Sequence, residues 1–307
     1  MTKKDYHQTL ELLHKRKVLD EKLQKTYVSE QSGHIGERFF AQYLTDELKI
    51  EPIIVFDFRF IVNGSECQID CLLIFQNECV LIEVKNYSGQ YLFNTGNMYF
   101  YPSEKKLLKQ PLVQITRAKD MLRELFKELD IRMNISERVV FTNPNFYMFN
   151  VGPNEPFTFY GNLKNFIYEL NQKPVSLRDY HSRILEKLNA VRLMSSSYSH
   201  KIKYEYETFS KGIPCMKCKG WMKTIGIHGR KNIKCDRCDR VEQIEHAVFR
   251  VIKEFNFLFP ERKITVSLIT DWIDGVVSEY KIREVLLKRC VPKGKNRHRH
   301  YLIKTNE

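Results

Sequence analysis

The chain has 307 residues, of which 43% are hydrophobic, so it is long enough for two or three domains with buried cores, and disorder is not its expected state. Its 50 Lys and Arg residues outnumber 37 Asp and Glu residues and give a net charge of +13. Such a charge favours phosphate backbones or acidic lipid as partners and disfavours cationic ones, with a merely basic soluble protein as the alternative.

The N-terminal segment lacks the apolar core of a signal peptide, and no stretch approaches the roughly 18 continuous apolar residues of a membrane span. We therefore expect a cytoplasmic protein that does not bind membranes. The chain contains eight cysteines. In a reducing compartment, clustered cysteines indicate a metal site rather than disulfide bonds.

The first predicted element is a single charged helix over residues 5–30. We expect residues 1–30 to form a helical arm that packs on the next domain. Residues 33–48 carry apolar side chains at helical spacing and predict a second helix, which Pro52 follows as a stop signal.

Three strands are predicted next, at residues 53–62, 66–76 and 79–87, followed by a pair of short strands at residues 90–101. A helix at residues 111–129, a strand at residues 138–142 and two amphipathic helices within residues 161–194 come after them. Asn63-Gly64 predicts a hairpin turn between the first two strands, and Pro111 is typical of the first turn of a helix. This order of elements predicts an α/β domain, which we place at residues 31–193.

A change in composition follows this domain. The segment after Arg192 is rich in serine and has no helical periodicity, so we predict a linker at residues 194–211. Two small modules are expected beyond it, a cysteine-containing module at residues 212–242 and a basic module at residues 243–307.

Asp70, Glu83 and Lys85 are charged residues inside otherwise apolar predicted strands. Because side chains alternate along a strand, Glu83 and Lys85 share a face and lie roughly 7 Å apart. If Asp70 lies on the adjacent strand, its carboxylate and that of Glu83 can hold one Mg²⁺ ion, a hard cation that prefers carboxylate oxygens and water. Lys85 would then orient a water molecule or stabilise charge on a phosphodiester. The alternative is an edge-strand Glu–Lys pair near an unrelated Asp.

The order of these residues resembles that of the PD-(D/E)XK nuclease superfamily, and three segments resemble its nuclease-related domain (NERD) family. GHIGERFFAQYL resembles the first helix of this family, CQIDCLLIF its aspartate strand, and VLIEVKNYSG its Glu-x-Lys strand. The resemblance covers residues 30–145. It implies a restriction-endonuclease-like α/β fold, with a mixed sheet flanked by helices.

The resemblance also implies roles for particular residues. Asp70 and Glu83 would be ligands of Mg²⁺ or Mn²⁺, and Lys85 would be the catalytic lysine. Glu37 would contribute a further acidic group from its helix, and Gln114 would lie near the active site. For Gln114, a polar residue on an exposed helix face is the alternative.

Three further cysteines lie in the same strands as the charged residues: Cys67, Cys71 and Cys79. Cys67 and Cys71 are four residues apart and are expected to share a face. Their spacing suits no zinc knuckle, so we predict small buried hydrophobic residues rather than metal ligands or redox groups.

The remaining cluster of cysteines comprises Cys215, Cys218, Cys235 and Cys238. Two CxxC pairs separated by 16 residues predict the tetrahedral site of a zinc ribbon. Four thiolates leave no open coordination position, so the zinc is expected to be structural. An iron–sulfur cluster and a redox CxxC pair are the alternatives.

The C-terminal module is predicted to contain three helices followed by a basic hairpin, an order that resembles a winged helix. Residues 281–307 contain nine Lys and Arg residues against two Glu residues. The candidate nucleic-acid-binding residues are Lys281, Arg283, Lys288, Arg289, Lys293, Lys295, Arg297 and Arg299. A helical protein-interaction domain explains the helices equally well but explains the basic hairpin less well.

Taken together, the sequence predicts a Mg²⁺- or Mn²⁺-dependent DNA nuclease whose zinc ribbon and winged-helix-like module bind DNA, in DNA processing or repair. The alternative is a non-catalytic DNA-binding or regulatory protein that uses the nuclease fold as a scaffold. Basic charge alone also leaves RNA open as a partner.

Overall fold

A computed structural model describes residues 3–107, 109–194, 202–218, 220–225 and 231–304. The chain divides into two compact units. The larger unit consists mainly of residues 28–200, and the smaller unit combines residues 5–27 with residues 201–307. Residues 195–201 of the predicted linker lie outside the described residues.

The helices are α1 Lys3–Lys15, α2 Glu21–Glu47, α3 Pro111–Glu128, α4 Leu163–Asn171, α5 Asp179–Val191, α6 Ile244–Leu258, α7 Val266–Trp272 and α8 Glu279–Arg289. The strands of the larger unit are β1 Ile53–Val62, β2 Ser65–Ile74, β3 Glu78–Lys85, β4 Gly89–Asn94, β5 Asn97–Phe100, β6 Lys105–Lys106, β7 Asn134–Phe141, β8 Phe146–Phe149 and β9 Phe157–Thr158. Those of the smaller unit are β10 Met222–Thr224, β11 Asn232–Cys235, β12 Val241–Gln243, β13 Cys290–Lys293 and β14 His300–Ile303. Among the described helices, none has the length and apolar character needed to cross a membrane.

The larger unit is built on a five-stranded sheet in the order β1-β2-β3-β7-β9. The strands β1, β2 and β3 are antiparallel neighbours, whereas β3, β7 and β9 run parallel. One face packs against α3 and α5, and the other packs against α2 and α4. Because both faces are covered, the inner strands are apolar along most of their length. The prediction of an α/β fold with a mixed sheet flanked by helices is confirmed.

The hairpin between β1 and β2 turns at the predicted position. Asn63 and Gly64 have positive φ angles of 50° and 70°, which is the backbone conformation of a two-residue type I′ turn. This turn sets the register that pairs Val62 with Ser65 and continues along both strands.

A second sheet of the larger unit has four strands in the order β6-β5-β4-β8. The strand β4 is antiparallel to β5 and parallel to β8. Tyr91 and Phe93 of β4 face the core shared with α3 and α5. In this region only the strands around residues 90–101 are predicted from sequence, because the two residues of β6 and the four residues of β8 carry too little periodicity to be recognised.

The N-terminal segment forms two helices instead of the predicted single helix over residues 5–30. Lys17 adopts a left-handed conformation, with φ of 58°, just after the end of α1. The Oδ1 atom of Asp20 accepts a hydrogen bond of 2.7 Å from the backbone N–H of Leu23 and so caps the start of α2. From there α2 continues through Gly33 without a break.

The helix α1 belongs to the smaller unit, so the expectation that the arm packs on the following domain is wrong. Leu13 is buried in the core of the smaller unit. The guanidinium of Arg16 is fully buried, forms an ion pair with Glu254, and lies 3.8 Å from the ring centre of Trp272. A buried charge is tolerated only with such partners, and these partners come from residues far along the chain.

The smaller unit has one apolar core that includes residues of the cysteine module and of the helices α6, α7 and α8. The strands β10, β11 and β12 form a three-stranded sheet, and β13 pairs with β14 in a hairpin. A further bridge joins Ile264 to Tyr301 of this hairpin. The predicted order of three helices followed by a hairpin is present in the C-terminal module.

Candidate functional site

Asp70 and Glu83 are brought together by the register of β2 and β3. The ladder between these strands ends at the pair Cys71–Ile82, and Asp70 and Glu83 are the residues that directly follow this pair on the two strands. Opposite residues of an antiparallel pair project from the same side of a sheet. Both side chains line one cleft of about 590 Å³, which we call the main cleft.

The regular alternation of side chains along β2 is interrupted at Asp70. The ladder between β1 and β2 lapses where Asp57 stands opposite Asp70, and Asp57 has a left-handed φ of 47°. Ile69 and Cys71 therefore contribute to cores on opposite faces of the sheet, whereas a regular strand would place both on one face. Asp70 thus sits at a local distortion of the sheet.

Asp70 borders two clefts as a result. Gln114 of α3 lines the main cleft together with Asp70 and Glu83. Glu37 of α2 lines a second cleft, of about 170 Å³, together with Asp70. The structure therefore places Glu37 and Gln114 on either side of Asp70, in different clefts.

Lys85 joins this group through Glu83. Its Nζ atom lies 2.5 Å from Oε1 of Glu83, whose side chain is largely buried. Burial is the largest single influence on Lys85 and by itself would lower its pKa, but the charge and hydrogen bond of Glu83, with the charges of Tyr87 and Asp70, together outweigh burial, and the pKa lies above its usual value. Lys85 is therefore an ammonium group at neutral pH and can act as a cation or a hydrogen-bond donor, but not as a general base.

The side-chain oxygen of Gln114 is buried and has no hydrogen-bond partner among the described residues. Leaving a buried amide oxygen unpaired costs about 1–3 kcal/mol, so such an atom in a cleft indicates a position where a ligand or a water molecule binds. Together with the carboxylates of Asp70 and Glu83, it forms a set of oxygen donors. Oxygen donors of this kind fit Mg²⁺ or Mn²⁺, which keep several water ligands beside one or two carboxylates.

Three basic residues that the sequence analysis did not identify also line the main cleft: Lys106 of β6, Lys109, and Arg117 of α3. All three are exposed. Arg117 follows Gln114 by three residues and so shares its helix face, which is the one sequence signal that could have identified it. Lys106 and Lys109 come from another part of the chain, and only the fold brings them to the cleft. The main cleft thus combines acidic residues with a basic rim.

Cys67, Cys71 and Cys79 are buried, as predicted. Burial raises the pKa of Cys67 and of Cys79 to about 12 and also raises the pKa of Cys71. These groups therefore remain neutral thiols. The expectation that Cys67 and Cys71 share a face is wrong, because the distortion at Asp70 lies between them and they contribute to cores on opposite faces.

The four cysteines of the smaller unit form a compact cluster. The Sγ atoms of Cys215, Cys218, Cys235 and Cys238 all lie within 4.8 Å of one another. Two sulfur pairs are 3.6 and 3.5 Å apart, close to the spacing of about 3.8 Å that tetrahedral Zn–S bonds of about 2.3 Å require. Backbone N–H groups donate to three of the sulfurs, which favours thiolates. The cluster is compatible with structural zinc.

The predicted nucleic-acid-binding residues of the C-terminal module fall into two groups. Lys281 contacts Glu284, while Lys288 and Arg289 both contact Glu245 of α6. The hydrogen bond from Lys288, with that from Arg289, holds the pKa of Glu245 below its usual value. Arg283, Lys293, Lys295 and Arg299 are exposed like Lys288 but form no ion pair with a described residue, and the side chain of Arg297 lies outside the described residues.

A mixed sheet flanked by helices, with paired carboxylates beside a lysine, is consistent with a nuclease fold. Residues 32–142 match the sequence model of the nuclease-related domain, so the predicted resemblance to this family is confirmed over these residues. The match extends from the second half of α2 to the end of β7 and covers Glu37, Asp70, Glu83 and Lys85. Comparison with curated proteins and with solved structures found no match.

Proposed function

We propose that the larger unit is a Mg²⁺- or Mn²⁺-dependent nuclease that hydrolyses phosphodiester bonds of DNA. The observation that carries the proposal is the main cleft, in which Asp70, Glu83 and the unpaired oxygen of Gln114 come together. The basic rim of this cleft complements an anionic polymer.

Five residues in or near the main cleft have tasks in this reaction. Asp70 and Glu83 would hold the divalent cation, which when bound would supply Lewis-acid polarisation of the phosphodiester and activation of a water molecule. Lys85, which Glu83 keeps in its charged form, stabilises the negative charge that develops on the phosphoryl oxygens. Gln114 accepts a hydrogen bond from the attacking water molecule through its free oxygen. Glu37 supports Asp70 from the second cleft.

The smaller unit is proposed to hold DNA near this site. A structural zinc ion shapes the ribbon at residues 212–242, and the winged-helix-like module at residues 243–307 binds phosphates through Arg283, Lys293, Lys295 and Arg299. Such a tether raises the local concentration of substrate at a cleft that by itself binds weakly.

The test is DNA cleavage by the full chain, with linear, nicked and single-stranded substrates and with either cation. We expect metal-dependent cleavage that Asp70→Asn and Lys85→Met each reduce by at least a hundredfold. The matched controls, Asp46→Asn and Lys127→Met, change exposed residues of α2 and α3 and should cleave normally. Cleavage that survives both site variants would exclude the proposed site. DNA binding without any cleavage would support the non-catalytic alternative.

A further inference from the structure

The four-stranded sheet of the larger unit presents aromatic side chains to solvent. Tyr147 and Phe149 alternate with inward-facing residues on β8, and their side chains are 56% and 44% exposed. Tyr101 directly follows β5 and is 48% exposed. Tyr99 of β5 is half-buried. We call these four residues the aromatic face.

The register of the sheet places the four residues on one side. Tyr99 pairs with Leu92 of β4, and Leu92 pairs with Phe149. One row further, Tyr101 donates its backbone N–H to Gln90, and Gln90 pairs with Tyr147. Residues in one row project to the same side, and the two rows lie roughly 7 Å apart along the strands.

The opposite side of the same sheet is the core side. Tyr91 and Phe93, which alternate with the outward residues of β4, are buried. The aromatic face therefore lies on the solvent side of the sheet, and the core of the unit packs on the other side. Its rings also contact one another, since the centroids of Tyr101 and Phe149 are 5.4 Å apart in an edge-to-face arrangement.

Basic charge adjoins the aromatic face. Lys106 of the edge strand β6 pairs with Tyr99 and is exposed. The same Lys106 lines the main cleft with Asp70 and Glu83. Lys106 thus adjoins the aromatic face and also belongs to the rim of the proposed active site.

We propose that the aromatic face stacks the unpaired bases of single-stranded DNA, so that the substrate of the main cleft is a strand with a single-stranded segment. Aromatic side chains beside basic residues are the usual surface for unpaired bases, because every base has a stacking face while phosphates need cations. A duplex keeps its bases stacked inside and offers none of these faces. The inference rests on the proposed nuclease function only for the entry of the bound strand into the cleft.

Binding is measured in the Asp70→Asn background, so that cleavage does not interfere. Fluorescence anisotropy is recorded with an oligo-dT strand and with a blunt duplex of equal length. Tyr147→Thr and Phe149→Thr keep a strand-forming residue while removing the ring. We expect each to weaken binding of the single strand by about tenfold or more and to change duplex binding less than about twofold.

Two controls separate stacking from other effects. Tyr147→Phe retains a ring and should bind the single strand like the parent protein. Tyr168→Thr removes an even more exposed tyrosine from α4, outside the aromatic face, and should also bind normally. Photocrosslinking of a bromodeoxyuridine strand to the Asp70→Asn protein with intact aromatic residues, followed by mass spectrometry, should place crosslinks at Tyr147 or Phe149.

Unchanged single-strand binding by the Tyr147→Thr/Phe149→Thr double variant would overturn the inference, as would equal losses for single strand and duplex. Crosslinks that all lie outside the aromatic face would do the same. Because binding is measured without catalysis, a chain that cleaves DNA but fails this test would refute the aromatic face alone. A chain that passes it but never cleaves would refute only the nuclease function.

Discussion

The unpaired amide oxygen of Gln114, a residue that lines the main cleft, lowers the stability of the protein locally. A buried polar atom without a partner lowers the free energy of unfolding, and such atoms are retained where a ligand or a reacting water molecule satisfies them. Lys85 has the opposite character, since its charge is fully matched by Glu83. At the scale of single residues, the site therefore contains one satisfied charge and one unsatisfied acceptor.

Replacing Gln114 by Leu should separate stability from activity. The change removes an unpaired polar group and keeps most of the side-chain volume, so we expect the free energy of unfolding to stay equal or to rise by up to about 1 kcal/mol. We expect cleavage to fall by at least about tenfold, as for loss of a positioning group in general acid–base chemistry. Urea denaturation and the cleavage assay measure the two effects. A destabilised variant that cleaves normally would contradict this role.

At the scale of elements, α2 approaches the ends of β3 and β7 closely at Gly36. A Cβ atom on Gly36 would lie 2.7 Å from Cβ of Asn86 and 2.8 Å from Oγ1 of Thr142. Thr142 follows β7 and its backbone N–H donates to the carbonyl of Lys85. The glycine thus lets the helix that carries Glu37 pack against the strand ends near the site.

Gly36→Ala and Gly33→Ala form a matched pair within one helix. Alanine favours the helix over glycine by about 1 kcal/mol at both positions. Nothing lies within 4 Å of a Cβ on Gly33, so this change should stabilise the protein by about 0.5–1 kcal/mol. At Gly36 the steric conflict should exceed this gain and destabilise it by about 1–3 kcal/mol. Chemical denaturation measures both, and equal effects would show that the close approach is unimportant.

At the scale of the whole molecule, the basic residues of the C-terminal module differ in whether they already form ion pairs with acidic residues. Lys288 and Arg289 are engaged with Glu245, whereas Lys293, Lys295 and Arg299 extend from the hairpin region into solvent. Charges that already have partners gain less from a phosphate than charges that are only hydrated. In the proposed complex with DNA, we therefore expect the phosphate contacts of the smaller unit to lie in its hairpin region.

Replacing Lys293, Lys295 and Arg299 together by Ala should weaken DNA binding and flatten its salt dependence. The slope of log K against log salt concentration is negative, and each lost phosphate contact reduces its magnitude by about 0.9. The control triple variant changes the exposed Lys25, Lys127 and Lys164 and removes the same net charge elsewhere. Titrations at several salt concentrations compare the two. Equal slopes would remove the hairpin region from the DNA-binding surface.

Much of the fold and part of the site follow from local sequence patterns. Apolar runs and the Asn63-Gly64 turn predict β1, β2 and their hairpin, because turn conformation and strand alternation depend on neighbouring residues. Asp70, Glu83 and Lys85 are recognisable as charges in such strands, and the spacing of the four clustered cysteines indicates their metal site. These features involve residues close in sequence.

Other features depend on contacts between distant parts of the chain. The distortion at Asp57 decides that Asp70 borders two clefts, and no periodicity reveals it. Arg16, which directly follows α1, forms its ion pair with Glu254, a residue far along the chain. The spacing of apolar residues within the N-terminal segment therefore could not show that α1 belongs to the smaller unit. The presence of two carboxylates and a lysine in neighbouring apolar strands was thus determined by the sequence. The unpaired oxygen of Gln114, the basic rim and the aromatic face were decided only by tertiary structure, because burial and the approach of separate elements depend on the packing of the whole unit.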